Sequence, residues 1–277
     1  MILNYFGDRS RNGQITVLGW SDPRWYQILF LSLFLGLGVF SRDWQLNIFT
    51  VLLTFAAALV TQAGLSWWVG LKPNYLSAII TALSLSLLLR TESSLVMICA
   101  AVVAIASKFM FRTDRKHWFN PANFGIIFAL TFLPAWVSPG QWGNDLWLLL
   151  LFGGLGSLVC GRVNRWDIPV SFLLSWGLGN GLRDWYLGWG LEVWLHQLSS
   201  SSLLLFALFM LSDPRSTPNS STGRMVWAVA ISLVSLVLQH YLFVAAAPFW
   251  ALFICAPLTL IIDRIWLGKR FTWQTPG

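Results

Sequence analysis

Two connectors in this chain gather side chains able to hold a ligand. The first, from Ser107 to Gly125, reads SKFMFRTDRKHWFNPANFG. Asn120-Pro121-Ala122-Asn123 is a helix start: an asparagine that caps, then a proline in the first turn, where no N–H is missed. The free N–H groups of such a start, together with the positive end of the helix dipole, favour an anion. Lys108, Arg112, Arg115 and Lys116 stand near it in sequence. Together they suit a phosphate, such as that of a flavin mononucleotide. The same residues also read as a capped helix start beside orienting cations, with no ligand at all.

The second connector, from Met210 to Ala228, reads MLSDPRSTPNSSTGRMVWA. Its Ser, Thr, Pro and Asn content predicts a turn-rich loop rather than a helix. Asp213, Thr217 and Asn219 offer hydrogen-bonding groups where the chain leaves a short apolar run. Arg90 ends another short run. If both runs stop inside the membrane, Arg90 and Asp213 lie at membrane depth; otherwise each is a helix-end charge at the interface. Other chemistries lack their signatures. His117, His196 and His240 are scattered singly, without metal-ligand spacing. Cys99, Cys160 and Cys255 lie in or at the ends of apolar runs, with neither zinc nor disulfide spacing, and read as small apolar fillers. No Ser-His-Asp order, phosphate-binding loop or dinucleotide fingerprint is present. Catalysis by the chain's own side chains is not indicated, and no metal is expected.

The elements that must position these groups follow from composition. Of 277 residues, 56% are hydrophobic and only 10% charged, against about 25% charged in a soluble domain. The mean hydropathy is +0.65. This excludes an ordinary soluble fold and predicts a polytopic membrane protein with the lipid bilayer as its main partner. The basic balance does not point to nucleic acid, because the cations sit in short connectors rather than on one solvated face. Apolar runs cover 25–40, 46–64, 75–89, 95–109, 122–137, 146–160, 168–182, 200–211, 225–243 and 245–262. They are continuously apolar, which predicts helices rather than a barrel. The polar first two dozen residues carry no signal-peptide pattern.

Cation placement tests the count of ten. Of 18 Lys and Arg, fifteen fall in the even connectors and tails, and Arg42, Arg90 and Arg183 in the odd ones. That asymmetry predicts both termini on the cytoplasmic side of a bacterial inner membrane. Ten spans divide at 138–145, an external connector, into halves of five, 25–137 and 146–263. The tails are 1–24 and 264–277. An odd number per half forces opposite orientations, so the halves are expected to be inverted repeats. The third run of each half, 75–89 and 200–211, is short, as interrupted segments are. Most of the 18 tryptophans flank spans as interfacial anchors. Trp176 and Trp250 instead fall inside apolar runs, where they either pack or stack on a flat cofactor.

FNPANFG, FMLSDPRSTPNSSTGRMVWAV and the closing APLTLIID, in that order, resemble the NqrB/RnfD family. These are membrane subunits of sodium-pumping NADH:quinone reductase and of Rnf electron-transport complexes. The resemblance runs from about residue 46 to residue 263. It implies a ten-helix inverted-repeat fold like that of urea transporters, flavin binding, and electron transfer coupled to ion movement beside other membrane redox subunits. The family's Ser/Thr-Gly-Ala-Thr flavin-attachment motif is absent. The nearest string, Ser221-Thr222-Gly223-Arg224, lacks the Ala-Thr. Covalent flavin mononucleotide is therefore not expected; non-covalent FMN or riboflavin, or a quinone, is. Arg90, Lys108, Asn120, Asn123, Asp213 and Thr217 are the residues expected around it. The alternative is a transporter or channel for a small solute that keeps the fold without the redox role.

Overall fold

A computed structural model describes residues 22–41, 47–113, 116–137 and 145–271. The expected N-terminal tail to residue 21, most of the connector at 138–145, the tail beyond 271, and Arg42 and Arg115 lie outside the described residues.

Among the described residues, most of each apolar run is helical. The first half holds α1 (Pro23–Ser41), α2 (Ile48–Trp68), α3 (Tyr75–Leu88), α4 (Ser94–Met110) and α5 (Pro121–Phe132). The second holds α6 (Leu146–Val163), α7 (Asp167–Tyr186), α8 (Leu191–Leu198), α9 (Ser201–Leu205) and a π-helical turn (Phe206–Met210). It continues through α10 (Ser221–His240), α11 (Ala247–Cys255) and α12 (Leu258–Ile265). Short polar side chains start several of these helices. Asn74, Asn120, Ser200 and Ser220 each accept a hydrogen bond from the backbone N–H three residues on, as N-caps do.

Among the described residues, four helices are long and apolar enough to cross a membrane: Pro23–Phe40, Ile48–Trp68, Leu146–Val163 and Ser221–His240. Two bent pairs raise the number to six, Leu191–Leu198 with Ser201–Met210 at 42° and Ala247–Cys255 with Leu258–Ile265 at 52°. Helices α3, α4 and α5 are apolar but shorter. The run at 200–211 is thus the second arm of a bent pair, and its first arm, α8, was not anticipated. Glu192, His196 and Gln197 dilute the apolar signal there.

The third run ends as its length predicts. After α3 the chain turns extended, and Leu89–Arg90 (β1) pairs antiparallel with Trp136–Val137 (β4), which follows α5. A second two-residue pair joins Arg112–Thr113 (β2) to Lys116–His117 (β3) in the basic connector. Pairing these strands satisfies backbone groups that a broken helix would otherwise leave open.

Some helix contacts correspond between the first and second parts of the chain. Helix α2 lies along α4 and α7 along α10; α4 packs on α5 and α10 on α11. Helix α1 packs on α3, while α6 packs on α9 and the π turn. The halves meet through α1 with α6 and α5 with α11. Close approach is built in at Gly125, where an added Cβ would stand 2.6 Å from the Ala100 carbonyl oxygen. Gly156 does the same against Leu208, at 2.7 Å.

The polarity of these helices is inverted relative to a soluble bundle. On α2 the buried stripe is Val51, Thr54, Ala58, Gln62 and Ser66, with Gln62 Nε2 donating to Ser66 Oγ at 3.0 Å. The exposed face of the same helix carries Phe49, Leu52 and Val60. Leu174, Leu178 and Leu182 likewise stand exposed on α7 over buried Asn180. Polar groups inside and contiguous leucines outside are the arrangement that lipid requires.

Candidate functional site

The polar groups that the sequence singles out meet where α3, α4 and α5 abut the end of the π turn. Lys108, in the last turn of α4, is 5% exposed. Its Nζ donates to the Ser77 hydroxyl at 3.1 Å and the Ser77 carbonyl at 3.3 Å. Asn120 has two tasks. Its Oδ1 accepts from the Asn123 backbone N–H at 3.0 Å and caps α5. Its Nδ2 reaches across to the second half, donating to the Met210 carbonyl at 3.2 Å and standing 3.4 Å from Asp213 Oδ2. Asn123 makes a further cross-half bond, its Nδ2 donating to the Phe249 carbonyl at 3.1 Å.

The π turn brings Asp213 to this place. Leu211 N–H bonds back to the Phe206 carbonyl at 2.9 Å, so the helix widens for one turn and then opens into the connector. Such widened turns recur at functional sites. Asp213 Oδ1 accepts from the Arg215 backbone N–H at 3.1 Å and Oδ2 from Ser216 Oγ at 3.2 Å. Burial pushes the Asp213 carboxyl up from its ordinary range, while Arg215, Ser216 and the Lys108 charge pull it back. His117, in the neighbouring connector, is pushed down to about 3 by burial and by the charges of Arg215 and Lys108.

The other two expected residues stand apart. Thr217 is 1% exposed, and its hydroxyl has no partner among the described residues. It does not line the cavity described below. Arg90 lies at the far end of α3. Its guanidinium donates to the carbonyls of Ser86, Leu87 and Leu89, a cation over a helix C-terminus. Lys108, Asn120, Asn123 and Asp213 therefore form one cluster, from which Arg90 is separated by a run of α3 about 20 Å long at 1.5 Å per residue.

The structure adds residues that the motifs did not mark. A cavity of about 60 Å³ is lined by Gln27, Ser77, Thr81, Ser84, Asn120 and Asp213, among others. Arg24 also lines it, donating to Asn74 at 2.9 Å while paired with Asp22 at 2.5 Å. Ion pairs tie the connectors of this end together, Lys116 to Asp263, and Arg224 to Asp167 at 2.6 Å. Asn74, just before an apolar run, was legible as a cap. Ser77 and Thr81, inside such a run, carried no signal.

A cavity of 60 Å³ holds a few water molecules or a small ion, since each water takes about 10–15 Å³ of such volume. It is too small for a flavin ring system, and the Asp213 carboxylate stands beside the helix start where a phosphate would bind. The cluster therefore does not fit a flavin. Its single carboxylate, with hydroxyls, amides and the guanidinium groups of Arg24 and Arg215 in the wall, instead suits water molecules and a proton.

Helices that expose leucine and bury serine and glutamine, together with two bent apolar helix pairs, define an integral membrane protein. Residues 136–272 match the model of the NQR2, RnfD, RnfE family. The stretch from Asn120 to Gly125 that carried part of the resemblance lies before the matched region. Curated relatives agree. The chain is 35% identical over 156 residues to a subunit of the ion-translocating oxidoreductase complex of Stutzerimonas stutzeri, an alignment covering 54% of this chain and 42% of that protein. The subunit of the same name from Klebsiella pneumoniae is 34% identical over 101 residues, covering 36% and 28%. That from Halorhodospira halophila is 28% identical over 139 residues, covering 50% and 38%. The chain thus spans less than half the length of these relatives.

Proposed function

We propose that this chain is a membrane component of electron transport linked to ion movement, in which the Lys108–Asp213 cluster handles a proton. The observation that carries the reading is the joining of the two halves at Asn120, which caps α5 and bonds to the Met210 carbonyl beside Asp213. Ionisable residues held at membrane depth are costly and mark ion or proton pathways. The names of the relatives, each a subunit of an ion-translocating oxidoreductase complex, support the assignment and a place beside other membrane redox subunits.

In this reading the chain is two inverted five-helix repeats, 25–137 and 146–263. The parallel packing of α2 with α4 and α7 with α10 supports that division. The connectors at the Lys108 end, with Lys116, Arg224 and their carboxylate partners, face the cytoplasm together with both termini. A flavin, FMN or riboflavin without covalent attachment, or a quinone, is carried outside the polar cluster. When bound, such a group supplies the electron transfer; the chain's own residues orient it and compensate charge.

A visible spectrum of the purified protein, native and then denatured, tests this. A yellow chromophore released on denaturation is expected. A colourless, folded preparation that takes up neither added flavin nor added quinone sinks the reading. The small polar cavity, with room for a solute but not for a ring, favours one alternative, a transporter or channel without redox role. Solute uptake into proteoliposomes by the chain alone is the outcome that would select it.

A further inference from the structure

The last bent pair closes on a short amphipathic helix. Helix α12 (Leu258–Ile265) turns 52° from α11 and packs on α10, burying Thr259 and Ile262. Leu258, Ile261 and Ile265, at spacings of three and four, are exposed together along another stripe. Arg264 is exposed beside that stripe. The chain then runs on through Leu267, 86% exposed, to exposed Lys269 and Arg270.

This segment is pinned to the rest of the fold. Trp266 N–H closes α12 on the Ile262 carbonyl at 2.8 Å. Gly268 passes so close to the second connector that an added Cβ would stand 2.6 Å from the Ser220 backbone nitrogen. The Arg165 guanidinium stands over the Phe271 ring, 5.4 Å from its centroid. Asp263 is the one carboxylate between residues 258 and 271. It is engaged by Lys116 and by the Asn219 backbone N–H, the latter at 2.8 Å. Burial pushes the Lys116 ammonium down, Asp263 pulls it up, and the charges of Arg165 and Arg270 push it down again. The segment thus joins an exposed apolar stripe to fixed cations whose one nearby carboxylate is already occupied. The helices around it face lipid, with Ile254 exposed on α11 and Val226 and Val229 on α10. A bilayer lipid is therefore the occupant at hand, whereas a soluble partner would have to displace lipid from the stripe.

We propose that α12 and the segment to Phe271 form a docking surface for an anionic phospholipid. Arg264, Lys269 and Arg270 hold its phosphate, and Leu258, Ile261 and Ile265 lie against its acyl chains. An interfacial helix buries its apolar stripe at the edge of the acyl region, where cations beside the stripe meet anionic headgroups. Guanidinium groups suit the phosphate oxygens, which accept two N–H donors at once. The proposal concerns a lipid contact and does not depend on electron transfer by the chain.

Native mass spectrometry of the full chain tests it, titrated in detergent with dioleoylphosphatidylglycerol or with zwitterionic dioleoylphosphatidylcholine. The first anionic lipid is expected to bind at least about tenfold more tightly than the zwitterionic one, since each cation near a membrane surface contributes about fivefold. Lys269→Gln with Arg270→Gln should remove that preference. Ile261→Gln with Ile265→Gln should weaken both lipids. Lys72→Gln, which changes an exposed cation between α2 and α3, should leave binding as it is. All five positions are exposed, so the variants should melt with the wild type. Millimolar inorganic phosphate should not displace the lipid. Equal affinity for the two lipids, an equal loss in Lys72→Gln, or displacement by phosphate overturns the proposal. A colourless preparation, fatal to the redox reading, leaves this one standing.

Discussion

Asn120 and Asp213, 93 positions apart in the chain, meet at 3.4 Å between amide nitrogen and carboxylate oxygen. The contact joins the start of α5 to the end of the π turn. It makes the polar cluster a property of the interface between halves, belonging to neither alone. Asn120 also bonds the Met210 carbonyl and caps α5. Asn120→Ala removes all three interactions, so a loss of about 1–3 kcal/mol is expected. Thermal unfolding in detergent measures it. Asn120→Asp retains the cap but sets a second carboxylate against Asp213, and should be no better than the alanine variant.

Lys108 is buried and Asp213 half-buried in this cluster. Lys108→Met removes the hydrogen bonds to Ser77 and a cation near the Asp213 carboxylate, and a loss of about 1–3 kcal/mol is expected. Asp213→Asn removes the anion near Lys108. The double variant removes both charges and should be more stable than the sum of the two single losses, by about 0.5–3 kcal/mol of coupling. Strict additivity of the three melting curves would show that the two charges do not feel one another.

Gly125 lets α5 approach the α4 backbone at Ala100, where a Cβ would stand 2.6 Å from a carbonyl oxygen. The obstacle is backbone and cannot rotate away. Gly125→Val should force the helices apart and lower stability by about 1–3 kcal/mol or more. The shift should also carry Asn123 away from the Phe249 carbonyl. Gly36, where nothing lies within 4 Å, is the control: Gly36→Ala should be neutral or slightly stabilising.

His117 adds a pH dependence whose sign follows from its lowered pKa, about 3 against an ordinary 6.5. The unfolded chain takes up this proton first as pH falls. The contribution is therefore fully present above about pH 6.5 and is lost progressively as pH drops towards about 3. Melting temperatures followed by circular dichroism across that window should fall more steeply for the wild type than for His117→Gln. Parallel curves would mean that the imidazole titrates as an exposed one does.

Much of the site could be read from residue types. Asn120-Pro121 declares a helix start in any context, because proline needs no N–H there and asparagine supplies the capping oxygen. Asp213-Pro214 and the Ser/Thr-rich run after it declare a turn-rich connector, although helix resumes at Ser221 behind the Ser220 cap, earlier than its polar composition indicates. Ser77, Thr81 and Ser84 were illegible. In a membrane chain a hydroxyl within an apolar run is as compatible with lipid-side helix bonding as with a cavity wall. Trp176 stood open between packing and stacking on a ligand, and only its neighbours distinguish the two.

The sequence by itself determined that the chain is built of apolar helices suited to lipid, and where most of them fall. These follow from local rules: transfer of apolar side chains, capping, and the scarcity of charge. Only the tertiary structure decided which polar groups meet. Lys108, Asn120, Asn123 and Asp213 converge because two halves pack through α1 with α6 and α5 with α11, whereas Arg90 closes its own helix end a full α3 away. Packing of long-range pairs leaves no local trace, because each partner satisfies its own segment equally well alone. The same reason hides a cavity of about 420 Å³, whose walls come from both halves of the chain, Leu88 and Val137 in the first and residues of α7 to α11 in the second.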